Sequence, residues 1–283
     1  MISFTKRWRV ILSLCAAMMT PFVACDRHDK PEEVTTSLQV NPDQACTGLF
    51  GLPNEQSGVG LDRCSLSCLC EDGERTYSQP TMTSELFTYT HSNPIPPLDA
   101  DPYQQADALM PPQPDQACVI ETNDELKQYS LQTKMINAVK ASQITHLGAC
   151  GACSSLRDLS VYLTHVDLTD PVRRCGLQGI TQGMDANLEC LSDLGFSESC
   201  AVIWYYNTLN TRTACLDVCL AQLNQPYLTE MGELNECLDC DERESGPIFK
   251  QYSGRTRRNS GLASAICRPC DSVARLPHDY LYD

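Results

Sequence analysis

The chain of 283 residues is short of aromatic side chains, at 7%, and short of positive charge, with 21 Lys+Arg against 36 Asp+Glu. The first shortage limits the apolar core, because Phe, Tyr and Trp bury the largest areas per residue. The second disfavours polyanions: a chain of formal charge −15 repels phosphates, so no nucleic-acid partner is expected. Beyond residue 24 long apolar runs are missing, so no later segment offers the roughly 20 apolar residues of a membrane-spanning helix. There is no Ser/His/Asp signature, phosphate loop or paired-histidine helix, and no internal repeat. The histidines at 28, 91, 146, 165 and 278 are scattered. No cofactor is expected.

What the chain does have begins with its leader. Lys6, Arg7 and Arg9 precede an uncharged, mostly apolar run over 10–24, fifteen residues long. That length suits a signal peptide and is too short for a comfortable span. An ordinary secretory cut wants small residues at the first and third positions before it, and Phe22 fills the third. Phe22-Val23-Ala24-Cys25 instead resembles the lipobox of bacterial lipoproteins, with Phe22 where Leu is usual. The resemblance covers only the leader and the cysteine. It implies diacylglycerol on the Cys25 sulfur, cleavage before Cys25 and acylation of the new amino terminus. Asp26 resembles the inner-membrane retention residue of some bacteria. Two or more acyl chains anchor a protein stably. The expected location is the cell envelope, on a membrane facing the periplasm or the exterior.

Cysteine is abundant, at 18 residues. Cys15 leaves with the leader and Cys25 takes lipid, so sixteen remain in the mature chain. Such density outside the cytosol reads as disulfides, whose pairing spacing alone does not reveal. Loss of the leader leaves 18 Lys+Arg against 36 Asp+Glu, a net charge of −18. Cross-links of about 2–4 kcal/mol each would supplement a modest core.

The expected fold is mainly α and disulfide-rich. After the signal peptide (1–24), 25–45 is a lipidated cysteine and polar tether. Residues 46–117 form a Cys/Gly/Pro-rich irregular module, with Cys46, Cys64, Cys68 and Cys70 among turn residues. Its end, 92–118, carries seven of the seventeen prolines, a composition for a strap or linker and not for a helix or central strand. Disulfide-stapled helices follow over 118–226, and 227–283 is a charge-split, irregular, Cys-rich segment. Thr122 to Glu125 fit a capping box with Leu126, Tyr129, Ile136 and Val139 on one face, though 129–133 also reads as strand. Ser155 starts a helix through Leu156, Leu159, Leu163 and Val166. Asp170-Pro171 starts a short piece that Gly176 ends. A helix over 184–194, closed by Gly195, turns Met184, Leu188, Leu191 and Leu194 inward. Residues 199–223 form one long helix, or two joined near Asn210. Cys215 and Cys219, four apart, share a face but are too distant to bridge each other, so each bonds a neighbouring element. Cys175, Cys190 and Cys200 are the donors nominated for such staples.

Two sites stand out. Cys150-Gly151-Ala152-Cys153 precedes the clearest helix and resembles the redox motif of thioredoxin-like proteins, where helix dipoles stabilise a thiolate. The helical chain downstream departs from the strands and cis-proline loop such a domain supplies. Structural disulfide bonding is therefore the leading reading. A redox pair, a hydrolase built on His146, and a metal site using His146 with both sulfurs are the alternatives. No further metal ligand is nominated by spacing.

The second site is basic. Lys250, Arg255, Arg257, Arg258 and Arg268 follow an acidic run over 230–244 and sit among glycine turns. Arginine forks there suit a carboxylate, sulfate or phosphate, unless the two runs pair with each other. Cys237-x2-Cys240 and Cys267-x2-Cys270 flank this segment with zinc-ribbon spacing, although an oxidising compartment favours disulfides that clamp its base. The functional expectation is a non-enzymatic, membrane-anchored scaffold presenting Lys250, Arg255, Arg257 and Arg258 to an anionic small molecule or an envelope protein. An extracytoplasmic enzyme at His146, Cys150 and Cys153 is one alternative, and a metal-binding protein the other.

Overall fold

A computed structural model describes residues 88–110, 113–229, 233–262, 264–266, 273–276 and 278. All of them belong to the compact unit Gln39–Asp283. The leader, Cys25, the tether, the 46–70 cysteine cluster, Arg268, Cys267 and Cys270 lie outside the described residues.

The described chain opens on a four-stranded sheet, ordered β1-β3-β2-β4. Strands β2 (Gln116–Asn123) and β3 (Gln128–Met135) form an antiparallel hairpin, in register from Gln116↔Met135 to Asn123↔Gln128. β1 (Thr90–His91) pairs parallel with β3, and β4 (Ile144–Leu147) pairs antiparallel with β2 across a bulge at Cys118/Val119. The helix expected from Thr122 is thus a hairpin turn. Asn123 accepts the Leu126 N–H, and Lys127 takes a positive φ of 50°. Alternation decides it: Cys118, Ile120, Tyr129 and Leu131 face the main core, while Ala117, Val119 and Ile144 pack with Ala274 and Leu276. The boundary expected at 117/118 falls inside β2, and Cys118 sits on a central strand. The proline-rich strap also contains a 3-10 helix, Pro102–Ala108, which Pro102 opens at a position where its missing N–H costs nothing.

Helices follow. Ser155 caps α1 (Leu156–Thr164) by accepting the Asp158 N–H, and Leu156, Leu159 and Leu163 are buried. α2 (Thr169–Gln182) runs through Gly176 instead of stopping there. An interior glycine costs only about 1 kcal/mol relative to alanine, less than packing against α4 returns. α2 ends at Gly183, whose φ is +94°, and reverses into α3 (Met184–Asp193). Within that hairpin the Cys175–Cys190 bridge joins the two helices, and Asn187 donates to the Cys175 carbonyl at 2.8 Å. Leu191 is fully buried, but Met184 is 37% exposed and does not turn inward. α4 (Glu198–Ala221) is one helix of 24 residues, capped by Ser197.

The segment after Pro226 is helical where irregular chain was expected. α5 (Glu236–Glu244), α6 (Gly246–Ser253) and the single turn α7 (Arg257–Ser260) lie in it. Asn235 caps α5 through the Leu238 N–H, and Thr256 with Asn259 forms a capping box at α7. Asn and Thr caps are weaker signals than apolar periodicity, and the dense charges hid a short period. α5 runs antiparallel to α4 and is stapled to it twice, by Cys215–Cys240 and Cys219–Cys237.

The molecule is helix-rich and disulfide-bonded. Five bridges lie among the described residues: Cys118–Cys150, Cys153–Cys200 and the three above. Disulfides in this number suggest an oxidising, extracytoplasmic environment. Among the described residues no helix is long and apolar enough to cross a membrane.

Candidate functional site

The motif Cys150-Gly151-Ala152-Cys153 is a junction, not a redox centre. Cys150 bonds Cys118 on β2, and Cys153 bonds Cys200 on α4, so the two sulfurs never meet. Gly151 is needed for backbone contact: a Cβ there would lie 2.6 Å from Gly254 N and Tyr252 O. The closeness lets Ala152 and Cys153 donate their N–H groups to Tyr252 and Ser253, each at 2.8 Å. His146 is fully buried, its Nε2 lying 2.7 Å from Ser154 Oγ. Ser154 was not singled out from sequence, and it too is fully buried. Burial, then the Arg255 guanidinium, holds His146 well below the usual imidazole range. A neutral imidazole beside a hydroxyl has the makings of a base and nucleophile, but no substrate reaches either atom. Among the described residues no group of three His, Cys, Asp or Glu could hold a metal.

The expected arginine loop is also redistributed. Arg255 is fully buried, and its guanidinium donates to the carbonyls of Thr145, Cys153 and Ser154 and to the hydroxyls of Thr145 and Ser260. It is a structural keystone rather than a presented anion ligand. Five donors in a rigid fork met five backbone and hydroxyl oxygens. Lys250 pairs with Glu242 at 2.5 Å. Arg257 lies 5.3 Å from the Tyr162 ring centroid and donates to the Tyr162 and His165 carbonyls. Arg258 is exposed. Cys237 and Cys240 are committed to α4, so neither serves as a zinc ligand or as a bridge to Cys267 and Cys270.

Lys250, Arg257 and Arg258 instead share in lining a cavity of about 340 Å³ among α1, α2, α4, α5 and α6. The volume falls in the range of small-molecule sites. α4 contributes Trp204, Thr208, Arg212, Leu216 and Leu220, a row at steps of four that winds about 160° around the helix from one end to the other. Opposite it, α2 supplies Val172, Gly176, Leu177 and Ile180. At the inner end Tyr162, Phe196, Trp204 and Phe249 form an aromatic cluster with centroids 4.4–6.1 Å apart between neighbours. The Tyr162 hydroxyl and the Trp204 indole nitrogen are buried there side by side, Trp204 acting on Tyr162 as a hydrogen-bond donor, and the Tyr162 O–H itself meets no acceptor among the described residues. Burial pushes Tyr162 up to about 12, against the pull of Arg257 and of Trp204 beside it. A buried hydroxyl hydrogen without an acceptor is rare and costly, so the Tyr162 O–H calls for an explanation.

Midway along the cavity is a polar patch. Asp241 accepts from Thr211 and from Asn207, and burial raises its carboxyl above the usual range. At the outer end Leu177 is 48%, Ile180 48%, Leu216 42% and Leu220 52% exposed. Sequence reasoning missed the whole cavity. No single-face periodicity on α4 marked it, because Cys219, Thr208 and Arg212 line it together with Leu216 and Leu220.

Residues 184–276 match the model of a family of unknown function, DUF8771. The match covers about a third of the chain, from α3 through α7. It takes in Trp204, the α4 wall and both α4–α5 bridges, and leaves out Tyr162, α2 and the sheet. No curated protein and no solved structure matches the chain.

Proposed function

We propose that the protein is an exported, lipid-anchored binding protein whose helical part receives a small molecule with an apolar body. The leader and Cys25 supply the anchor, and the disulfide-bonded scaffold keeps the cavity walls in place. The carrying observation is the cavity of about 340 Å³ with the Tyr162 O–H buried in its lining, Trp204 donating toward it and no acceptor opposite it among the described residues. A ligand acceptor atom would complete the Tyr162 donor, and the largely apolar walls would bury its body. The non-enzymatic reading is kept: Cys150 and Cys153 sit in separate bridges, and His146 and Ser154 are out of a substrate's reach. The anionic-ligand reading moves from an arginine loop to the cavity, where Lys250, Arg257 and Arg258 are lining residues.

The test uses a convenience of composition. The chain has two tryptophans, Trp8 and Trp204, and cleavage before Cys25 removes the first. Emission from the mature protein then reports Trp204 alone. Titration with the apolar dye 8-anilinonaphthalene-1-sulfonate should give saturable quenching or transfer at a stoichiometry of one. Emission that stays constant to saturating dye would dismiss the cavity as a binding site.

A further inference from the structure

We propose that the occupant is a long-chain carboxylate, its head on Tyr162 beside Trp204 and its chain laid between α2 and α4 toward Leu216 and Leu220. This rests on the cavity reading above and adds the ligand's class. Three observations converge on it.

The first is the donor. Trp204 Nε1 can only donate and acts on the Tyr162 oxygen, which leaves the buried Tyr162 O–H to donate outward to a ligand acceptor such as a carboxylate oxygen. The aromatic cluster around them excludes water and strengthens such bonds.

The second is charge. In a chain of net charge −15, the cavity is lined by Arg173, Arg212, Lys250, Arg257 and Arg258 against Asp167, Asp241 and Glu242. Arg257 stands over the Tyr162 ring, next to the proposed head. Arg173 and Lys250 are engaged with Asp170 and Glu242; at the Tyr162 hydroxyl Arg257 is the largest charge, joined by Arg255 and opposed by Asp158. An anion is favoured there over a neutral head or a cation.

The third is length. From Trp204 to Leu220 α4 rises roughly 24 Å at 1.5 Å per residue, and the lining row curves around the helix as it rises. A compact ligand fills only the inner end of that path. A flexible acyl chain can bend along it and shield Leu177, Ile180, Leu216 and Leu220, large apolar side chains left 42–52% exposed.

The experiment follows Trp204 emission of the mature protein during titration with palmitate, laurate, octanoate, hexadecanol and methyl palmitate, each below its aggregation concentration. Palmitate is expected to saturate the signal at one equivalent. Affinity should fall roughly fourfold for each methylene removed, the fold-change of one buried CH₂. Hexadecanol and the methyl ester, which lack the charge, should bind at least tenfold more weakly. The ester also separates a free carboxylate from the acyl ester of a membrane lipid. Tyr162→Phe should weaken palmitate about fivefold, one neutral hydrogen bond, while its melting temperature stays the same or rises. Leu216→Ser/Leu220→Ser, at exposed positions, should weaken palmitate and spare octanoate. Equal affinity for octanoate and palmitate, or for palmitate and its methyl ester, would overturn the long-chain carboxylate while leaving the cavity reading intact. Silence toward all five together with silence toward the dye would remove both.

Discussion

At the level of single residues, buried polar groups carry most of the specificity. Arg255 ties β4, the 153–154 backbone and α7 through one guanidinium. Lysine has three donors on a compact head and cannot meet five acceptors spread over a plane. Arg255→Lys is expected to cost about 3 kcal/mol or more, because it leaves buried carbonyls unpaired. Urea denaturation measures this, and a loss under about 1 kcal/mol would remove the keystone role. His146 and His278 add a pH dependence. Burial, then Arg255, lowers both, His278 to about 3. The unfolded imidazoles titrate near ~6.5, so the unfolded chain binds more protons as pH falls below that value. Their contribution is complete above ~6.5 and is lost on acidification toward the folded pKa, at about 1.4 kcal/mol per pH unit for each. Asp158 and Asp241 act with the opposite sign. Burial raises both, so their contribution is present at low pH and lost as pH rises through the folded value. From pH 7 to pH 5 the imidazoles pull stability down and the two carboxyls push it up, so the diagnostic is a difference: His278→Gln should remove about 1.4 kcal/mol per pH unit of the downward pull below ~6.5, even if it lowers stability throughout. An unchanged slope in that variant would contradict the assignment.

At the level of elements, the α4–α5 pair is the most heavily constrained. Its two bridges are nested, Cys219–Cys237 lying within the loop closed by Cys215–Cys240. With the inner bridge intact, the outer one closes only a short ring, so its loss alone should cost about 2–3 kcal/mol. Losing both frees the whole 25-residue separation and should cost about 5–6 kcal/mol. Stabilities of Cys215→Ala/Cys240→Ala and of the quadruple variant check this; a single removal as costly as the double would refute the nesting argument. Much of α4 and its stapling was legible beforehand. Cys215 and Cys219 share a face by helical spacing and cannot bond each other, so a neighbour had to receive them. That the neighbour is α5 was not legible. The charges of Glu236, Asp239, Asp241, Glu242 and Glu244 hid a helix held by its Asn235 cap and by the bridges themselves.

At the scale of the whole molecule, assembly and oxidation are coupled. Ten cysteines are paired among the described residues, joining sheet to helices and helix to helix. A chain retained in a reducing cytoplasm should fail to assemble, because the core is modest and the bridges supply what aromatic burial does not. Intact mass of protein purified from the envelope should show a diacylated, N-acylated Cys25 at the mature terminus. Alkylation without reduction should label few thiols. A mature mass lacking lipid would refute the anchor, and labelling at most cysteines would refute the oxidised scaffold.

The residue order alone determined what depends on near neighbours: the Ser155 start of α1, the long helix α4, and a preference for disulfides over free thiols. Periodicity, capping and composition act over a few residues, so they can be read along the chain. Only the tertiary structure decided which cysteine meets which, that 116–147 pairs as strands, and that Arg255 turns inward while Lys250, Arg257 and Arg258 border a cavity. It also placed Trp204, 42 positions away in sequence, beside the Tyr162 hydroxyl, whose own hydrogen meets no acceptor among the described residues. Such outcomes depend on which distant surfaces bury one another, and side-chain partners are chosen by that burial rather than by distance along the chain.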